Sequence, residues 1–231
     1  PVSGGKDSII TMELLKNKNA TCFSLNSTAE AKKTISASGI KKQIVVERKI
    51  DKKLLELNQK GFLNGHTPFS AYLAFLSILT AAIFNKKYIA FSNENSANEG
   101  SVKYLGKTIN HQYSKTFDFE KKFINYSKKY LAKDVKYFSF LRPLSEIQIA
   151  KIFARHPKYF KIFVSCNEAH KTKSGTKKPT GKWCGKCPKC LFVFIILSPF
   201  LSQKEPSGIF GKNLFNNKKL ISLLDQLTGI K

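Results

Sequence analysis

The sequence predicts an α/β protein with a doubly wound, Rossmann-like parallel sheet and a C-terminal zinc-binding module. Short apolar segments alternate with helical ones over residues 1–92, a rhythm typical of a parallel sheet. A glycine-rich loop at residues 3–8 leads directly into the first helix. Three of the five cysteines lie within residues 184–190, at a spacing that metal ligands use. We expect an α/β domain over residues 1–157 and a cysteine module over residues 158–231.

The individual elements follow from hydrophobic period and from end signals. Ser27 and Glu30 predict a capping box at the start of the second helix, which Gly39 ends. Only Pro1 and Val2 precede the glycine-rich loop, so we expect the strand before it to be truncated. The other predicted elements are a helix ending before Asn17, strands over 20–25, 40–47, 87–92 and 135–138, helices over 52–60, 117–131 and 214–227, a long buried helix over 68–84, and a helix capped by Ser145 and Gln148.

The loop Ser3-Gly4-Gly5-Lys6-Asp7-Ser8 predicts an anion site at the N-terminus of the first helix. It lacks the four-residue gap and final Gly-Lys-Ser/Thr of a Walker A loop. Two glycines allow successive backbone N–H groups to turn inward, and the serine hydroxyls and the lysine add donors and charge. We therefore expect nucleotide phosphates to bind here.

The cysteines predict a structural zinc site. Cys184, Cys187 and Cys190 form a tight knuckle, and Cys166 lies 18 residues upstream of it, so four thiolates can close a tetrahedral site. His170 is the alternative fourth ligand, and reduced cysteines packed in the core are the alternative to a metal. Cys22, in a predicted strand, is expected to be a core residue.

Composition and charge bound the partners. The formal charge of +25 favours a polyanionic partner, although an excess of lysine with many Asn, Ile and Phe residues also reflects an AT-rich genome. A nucleic acid such as tRNA therefore stays an alternative. The longest apolar stretch, residues 69–84, is shorter than the roughly 20 residues that span a bilayer. With no secretory signal and a metal-type cysteine spacing, we expect a cytoplasmic protein.

The pattern Ser-Gly-Gly-x-Asp-Ser resembles the pyrophosphatase-type loop (PP-loop) of the N-type ATP pyrophosphatases. Members of that superfamily cleave ATP to AMP and pyrophosphate while adenylating a carboxylate or carbonyl. The resemblance implies ATP and Mg²⁺ as cofactors, with Asp7 helping to hold the Mg²⁺. Loop and cysteines together resemble the architecture of 7-cyano-7-deazaguanine synthase.

The segments between these motifs are more similar to the UDP-N-acetylmuramoyl-L-alanyl-L-glutamate epimerase (MurL) family. That resemblance runs from Ser3 to about Phe200 and implies ATP-dependent inversion of the terminal glutamate of UDP-MurNAc-L-Ala-L-Glu, with release of AMP and pyrophosphate. The segments that carry it are NGHTP (64–68), SNENSA (92–97), NHQYSK (110–115), LRPLSE (141–146), SCN (165–167) and WCGKCPKC (183–190).

The candidate site residues fall into two groups. Those assigned to nucleotide binding are Ser3, Gly4, Gly5, Lys6, Asp7, Ser8, Ser24, Gly65 and His66. Those assigned to catalysis are Lys6, Asp7, His66, Glu94, His111 and Arg142, with Asn93 and Asn110 as substrate amides. The polar stretch 93–115 follows a predicted strand end, where open α/β sheets bind ligands.

Each assignment outside the loop has a structural alternative. His66 can cap the long helix instead of contacting phosphate. Glu94 and His111 are candidates for proton transfer, or polar loop residues exposed to solvent. Arg142 suits bidentate capture of a carboxylate or phosphate, or a structural salt bridge. Two further classes of function stay open: a PP-loop enzyme that modifies a base on tRNA or a free deazapurine, and a non-catalytic nucleotide sensor or zinc-ribbon RNA binder.

Overall fold

The computed structural model describes residues 1–63, 67–100, 102–172 and 176–230. Its strands are β1 (Cys22–Leu25), β2 (Gln43–Val46), β3 (Tyr88–Phe91), β4 (Val102–Tyr104), β5 (Lys107–Ile109) and β6 (Lys136–Ser139). Its helices are α1 (Lys6–Leu15), α2 (Ala29–Ser38), α3 (Lys52–Gln59), α4 (Phe69–Ile83), α5 (Phe117–Tyr130), α6 (Glu146–Phe153), α7 (Pro188–Leu197), α8 (Lys204–Phe210) and α9 (Ile221–Thr228). The α/β class is confirmed.

The strands of the described residues pair in twos. β1 pairs parallel with β2, Cys22 facing Gln43 in the register, and β3 pairs parallel with β6, Tyr88 facing Lys136. β4 and β5 form an antiparallel hairpin. The parallel pairing agrees with the alternation of strands and helices in the sequence. A continuous doubly wound sheet stays a prediction.

The chain divides into two compact units. The central unit comprises Gly65–Glu146 together with Pro1, and the discontinuous unit comprises Val2–Asn64 and Ile147–Lys231. The glycine-rich loop and the four clustered cysteines belong to the discontinuous unit. The polar stretch 93–115 belongs to the central unit. A domain boundary near residue 157 stays a prediction.

In the discontinuous unit, the chain runs beside β1 just before it enters the loop. The backbone N–H of Val2 donates to the carbonyl of Phe23 at 2.7 Å. α1 follows the loop, and its residues Ile9 and Ile10 are fully buried. Cys22 is also buried, and its thiol lies 3.6 Å from the Met12 sulfur. The prediction that Cys22 is a core residue is confirmed.

An aromatic chain packs the C-terminal part of the discontinuous unit. The ring of Phe163 lies 4.5 Å from that of Phe153 in α6 and 5.2 Å from that of Trp183. Trp183 in turn lies 4.4 Å from Phe210 in α8, and its indole N–H donates to the Phe163 carbonyl. The segments on both sides of the cysteines are therefore anchored to the helical core.

The central unit has its own apolar core. Its buried members come from α4, α5 and the β3–β6 pair, and they are Ala74, Ile78, Ala81, Ile89, Phe91, Phe123 and Tyr137. Only one side of α4 is buried, because Tyr72, Leu79 and Ile83 on the same helix are 36–68% exposed. The long helix predicted to be buried is therefore buried on one face only, since a helix that is apolar on every side gives no sequence signal for which face packs.

Further differences from the predictions concern the cap of α2, the polar stretch and the C-terminal helices. Thr28, not Ser27, caps α2, because its hydroxyl accepts from the Ala31 N–H at 3.1 Å. Gly39 ends that helix with a left-handed φ of 79°, as predicted. The polar stretch 93–115 contains the β4–β5 hairpin, α7 and α8 were not predicted, and the final helix α9 begins at Ile221 rather than at residue 214. Among the described residues, no helix has the length and apolar character needed to cross a bilayer.

A buried carboxylate anchors α1. Glu13 has a side chain that is 3% exposed, and it pairs with Lys158 and Lys16, each at 2.8 Å. It also accepts from the Tyr159 hydroxyl at 2.5 Å. Burial alone would raise the pKa of Glu13, but the hydrogen bonds from two lysines and a tyrosine outweigh it and lower the pKa to about 2. Glu13 thus ties the helix that follows the loop to residues 158 and 159.

We expect Glu13→Gln to lower the free energy of unfolding by about 2–3 kcal/mol at pH 7. A depressed carboxyl pKa stabilises the folded state above the ordinary pKa near 4.5 and loses that contribution as the pH falls towards 2. Urea unfolding of both proteins should therefore show a difference that shrinks by about half at pH 3. Glu56→Gln is the matched control, because the Lys53–Glu56 pair is exposed on both sides. A difference that does not change with pH would contradict this account.

Candidate functional site

The glycine-rich loop has a backbone that excludes side chains. Gly4 has a φ of 86°, and a Cβ placed on it would lie 3.0 Å from the Ala31 nitrogen and 3.1 Å from the carbonyl carbon of Glu30. A Cβ on Gly5 would lie 2.7 Å from the Ser165 hydroxyl oxygen. A side chain at position 4 would be strained by this φ and crowded by backbone atoms, and one at position 5 would require the Ser165 hydroxyl to move. The start of α2 therefore lies directly beside the loop that starts α1.

The first turn of α1 offers backbone donors. Gly5 is the N-cap residue, and no side chain in the described part of the chain caps this end of the helix. The Ser8 hydroxyl donates back to the Gly5 carbonyl at 2.9 Å. Lys6 is 1% exposed and its ammonium group pairs with the carboxylate of Asp7. Charge at the loop is thus balanced within the protein, while the N-terminal amides and the positive end of the helix dipole favour an anion.

The structure describes two of the four other residues assigned to nucleotide binding, Ser3 and Ser24. Ser24 is buried in β1, in the discontinuous unit. Ser3, the first residue of the loop, is exposed. Gly65 and His66 lie outside the described residues.

The four cysteines form one cluster. The sulfur atoms of Cys166, Cys184, Cys187 and Cys190 all lie within 4.8 Å of one another. Three of the pairs are separated by 3.5–3.9 Å. Tetrahedral zinc with Zn–S bonds of about 2.3 Å places its ligand sulfurs about 3.8 Å apart. The arrangement therefore fits a metal ion held by four thiolates, and His170 is not part of it within the described residues.

Local backbone signals position the knuckle. Cys187 is the N-cap residue of α7, Pro188 occupies its first position, and Cys190 lies in its first turn. Gly185 has a φ of 61°, which lets the chain reverse between Cys184 and Cys187. Burial would raise the pKa of Cys187, but hydrogen bonds from the backbone of Cys190 and Asn167 outweigh it and lower the pKa to about 7. Backbone donors of this kind stabilise a thiolate.

The polar residues of the central unit are held by local contacts. The Glu94 carboxylate accepts from the N–H and the hydroxyl of Ser96, at 2.5 and 2.7 Å, which is a capping interaction. The Asn110 amide donates to the Ala97 carbonyl, and its oxygen accepts from the Gln112 N–H. His111 is exposed, and its ring lies 3.3 Å from the Gln112 amide. Proton transfer by Glu94 and His111 stays a prediction.

Arg142 links three parts of the central unit. Its guanidinium pairs with Glu120 at 3.1 Å and donates to the carbonyls of Glu94 and Lys115 at 2.7 and 2.6 Å. Glu120 is buried, and its second oxygen accepts from the Ser139 N–H at 2.9 Å. The structural salt bridge accounts for these contacts, and capture of substrate by Arg142 stays a prediction. No sequence signal paired Arg142 with Glu120, because 22 residues separate them.

We expect Arg142→Ala to lower the free energy of unfolding by about 3–5 kcal/mol, because Glu120 would be left buried without its cation. The double variant with Glu120→Gln should lose much less than the two single losses added together, as expected for a directly coupled pair. Chemical denaturation of the four proteins measures that coupling. Exposed Arg155 provides the control, since Arg155→Ala should leave stability within about 0.5 kcal/mol. If the losses of unfolding free energy in the two single variants simply add up in the double variant, the Arg142–Glu120 salt bridge does not stabilise the unit.

The comparisons with known proteins agree with the resemblance seen in the sequence. The chain is 35% identical over 218 residues to a protein of Xanthomonas oryzae pv. oryzae, covering 94% of the chain and 48% of that protein. It is 34% identical over 231 residues to proteins of Micromonospora sp. and Salinispora tropica, covering 99% of the chain and 51% and 50% of their lengths. All three are named UDP-N-acetyl-alpha-D-muramoyl-L-alanyl-L-glutamate epimerase.

The chain thus spans about half the length of the curated relatives it matches. No solved structure gives a significant match. Two family profiles cover most of the chain, the MurL N-terminal domain over residues 1–140 and the MurL C-terminal domain over residues 162–231. The chain therefore belongs to the MurL family.

Proposed function

We propose that this chain carries out ATP-dependent epimerisation of the terminal L-glutamate of UDP-MurNAc-L-Ala-L-Glu, a peptidoglycan precursor. The observation that carries the reaction is its similarity to three proteins named as that epimerase, together with its membership of the MurL family. We assign ATP to the glycine-rich loop and place the protein in the cytoplasm, where nucleotide-linked precursors are available.

The backbone of the loop supports ATP as the phosphate donor. Gly4 has a left-handed φ and Gly5 lies close to Ser165, and the first turn of α1 presents amide donors without a side-chain cap. Such a surface suits pyrophosphate oxygens. Asp7, which is about one-third exposed, would hold Mg²⁺, which neutralises charge on the phosphates. The ammonium group of Lys6, which pairs with Asp7, would balance negative charge on the phosphates. The sheet around the loop would then be the doubly wound type of the PP-loop enzymes.

The cysteine cluster supports a structural zinc ion. Its four sulfurs fit a closed tetrahedral shell, and three of the four cysteines are buried. A closed shell leaves no position for water or substrate, which is the property that separates structural from catalytic zinc. Zinc would tie Cys166 to the start of α7.

The chemistry of such an enzyme requires activation before inversion. Attack of the glutamate α-carboxylate on the α-phosphorus of ATP forms an acyl-adenylate and expels pyrophosphate. The acyl group of this mixed anhydride lacks the negative charge of the carboxylate, so the pKa of the Cα–H falls and a side-chain base can remove that proton. Return of a proton to the opposite face and hydrolysis of the anhydride give the D-glutamate product and AMP. We propose Glu94 and His111 for proton transfer, with Asn93 and Asn110 as substrate amides.

The base-modifying alternative lacks a comparable observation. The comparisons found relatives named as epimerases over 94–99% of the chain. The similarity to deazaguanine chemistry rests on the loop and the cysteines alone, which the epimerase proposal also explains. A nucleic-acid partner such as tRNA is therefore not part of the proposal.

The proposal is tested by incubating the purified protein with UDP-MurNAc-L-Ala-L-Glu, ATP and Mg²⁺. We expect AMP to form only with substrate present, and hydrolysis of the product to yield D-glutamate. UDP-MurNAc-L-Ala, which lacks the glutamate, is the control and should give no AMP. Inversion of the glutamate without ATP would contradict the proposed adenylating step. The absence of both AMP formation and inversion would overturn the proposal.

A further inference from the structure

One short segment joins the phosphate loop to the cysteine cluster within the discontinuous unit. The Val164 N–H donates to the Gly4 carbonyl at 3.2 Å. The hydroxyl oxygen of Ser165 lies 2.7 Å from the point where a Cβ on Gly5 would stand. The next residue, Cys166, is 3% exposed and belongs to the cluster. The two residues that contact the loop therefore directly precede a cysteine of the cluster along the chain.

A second connection reaches the loop from the other side. Gly181, which lies between Cys166 and Cys184 in sequence, has a φ of 59°, and a Cβ on it would lie 2.3 Å from a carboxylate oxygen of Glu30. The backbone of Glu30, at the start of α2, lines Gly4. A metal ion in the cluster would hold the segment between Cys166 and Cys184 at both ends. The residues just before this segment contact the loop, and Gly181 near its other end contacts Glu30 at the start of α2.

We propose that metal binding by the cysteine cluster sets the nucleotide affinity of the loop, with residues 164–166 as the positioning segment. The inference rests on the proposed function in taking the loop as the ATP site and the cluster as a metal site. Metal binding would fix Cys166, and with it the hydrogen bond of Val164 to Gly4 and the position of Ser165 beside Gly5. Because structural metal binding contributes directly to local folding free energy, removing the metal should loosen this contact.

Linkage makes the coupling measurable in both directions. If zinc raises the affinity for ATP by some factor, then ATP must raise the affinity for zinc by the same factor. Coupling between sites typically amounts to about 5- to 150-fold. For contacts as direct as these we expect a change of about 10-fold.

The test measures Mg-ATP binding by calorimetry on the zinc-loaded and the zinc-free protein. ATP should bind about 10-fold more weakly without zinc. In parallel, competition with a chelating dye measures zinc affinity with and without saturating ATP, and the same factor should appear. This second arm starts from the folded, zinc-loaded protein. If the zinc-free chain unfolds, ATP also raises the zinc affinity by stabilising the folded state, and the variants below separate that effect from positioning.

A variant separates positioning from overall stability. Ser165→Gly frees the backbone between the Gly4 contact and Cys166, so it should keep zinc but reduce the coupling factor towards one. Ser202→Gly, at an exposed serine outside the positioning segment, should keep the full factor.

Equal effects of zinc on both variants, or a zinc affinity that ATP leaves unchanged, would overturn the inference while leaving the proposed function standing. A zinc-loaded protein that binds no ATP would overturn the proposed function as well. Failure to bind zinc would overturn the assignment of the cluster and the inference with it.

Discussion

Cys187→Ser should abolish binding of the zinc ion that we propose for the cluster and lower the free energy of unfolding by several kcal/mol. Cys187 is buried, and its sulfur lies 3.9 Å from that of Cys166 and 3.5 Å from that of Cys190. A serine hydroxyl stays protonated at neutral pH and is a poor substitute for a thiolate, so the remaining three ligands would leave an open and weaker site. Metal analysis after purification and thermal unfolding measure the two losses.

Cys22→Ser is the matched control for this prediction. Cys22 is buried like Cys187, but it lies in β1 and outside the cluster. Burial raises its pKa to about 11, and among the described residues it belongs to no group of potential metal ligands. The Cys22 variant should keep one zinc per chain. Full retention of zinc in the Cys187 variant would show that the cluster is not the metal site.

Asp7→Asn should abolish AMP formation, with a fall of at least about 100-fold in turnover. The substitution keeps the shape of the side chain but removes the negative charge that we assign to Mg²⁺ on the pyrophosphate. It also removes the negative charge that pairs with the buried Lys6 ammonium group. Turnover should be measured as substrate-dependent AMP release at saturating ATP, alongside zinc content and thermal stability.

The control for this variant is Asp118→Asn. Asp118 also pairs with a lysine, Lys122, at 2.8 Å, but it lies in α5 of the central unit and is exposed. Its loss should leave AMP formation within about twofold, as expected for an exposed ion pair. Unchanged turnover of the Asp7 variant would show that the loop does not carry the chemistry assigned to it.

The parts of this fold that a short sequence window determines were predictable. The start of α1 after the glycines, β1, and the end of α2 at Gly39 each depend on signals within a few residues. The cap of α2 was misassigned because Ser27 and Thr28 are adjacent and both can cap; only the backbone direction decides between them. In the cysteine module, the closely spaced ligands and the proline obscured the period of α7.

Long-range contacts escaped the sequence for a physical reason. Glu120 and Arg142 are brought together by the packing of α5 beside β6, and neither residue marks the other in the sequence. Ser165 reaches Gly5 across 160 positions of the chain. Its adjacency to Cys166, which we assign as a metal ligand, was a usable signal, since such a ligand would hold the neighbouring residue in place.

The most direct test of the proposed acyl-adenylate follows an oxygen atom from the substrate carboxylate into AMP. Substrate labelled with ¹⁸O in the α-carboxylate of its glutamate should be incubated with ATP and Mg²⁺, and the AMP analysed by mass spectrometry. If the carboxylate attacks the α-phosphorus and water later attacks the acyl carbon, each AMP carries one ¹⁸O from the substrate. Labelled inorganic phosphate with ADP would contradict the acyl-adenylate on which the account depends. AMP without ¹⁸O would instead contradict attack of water at the acyl carbon.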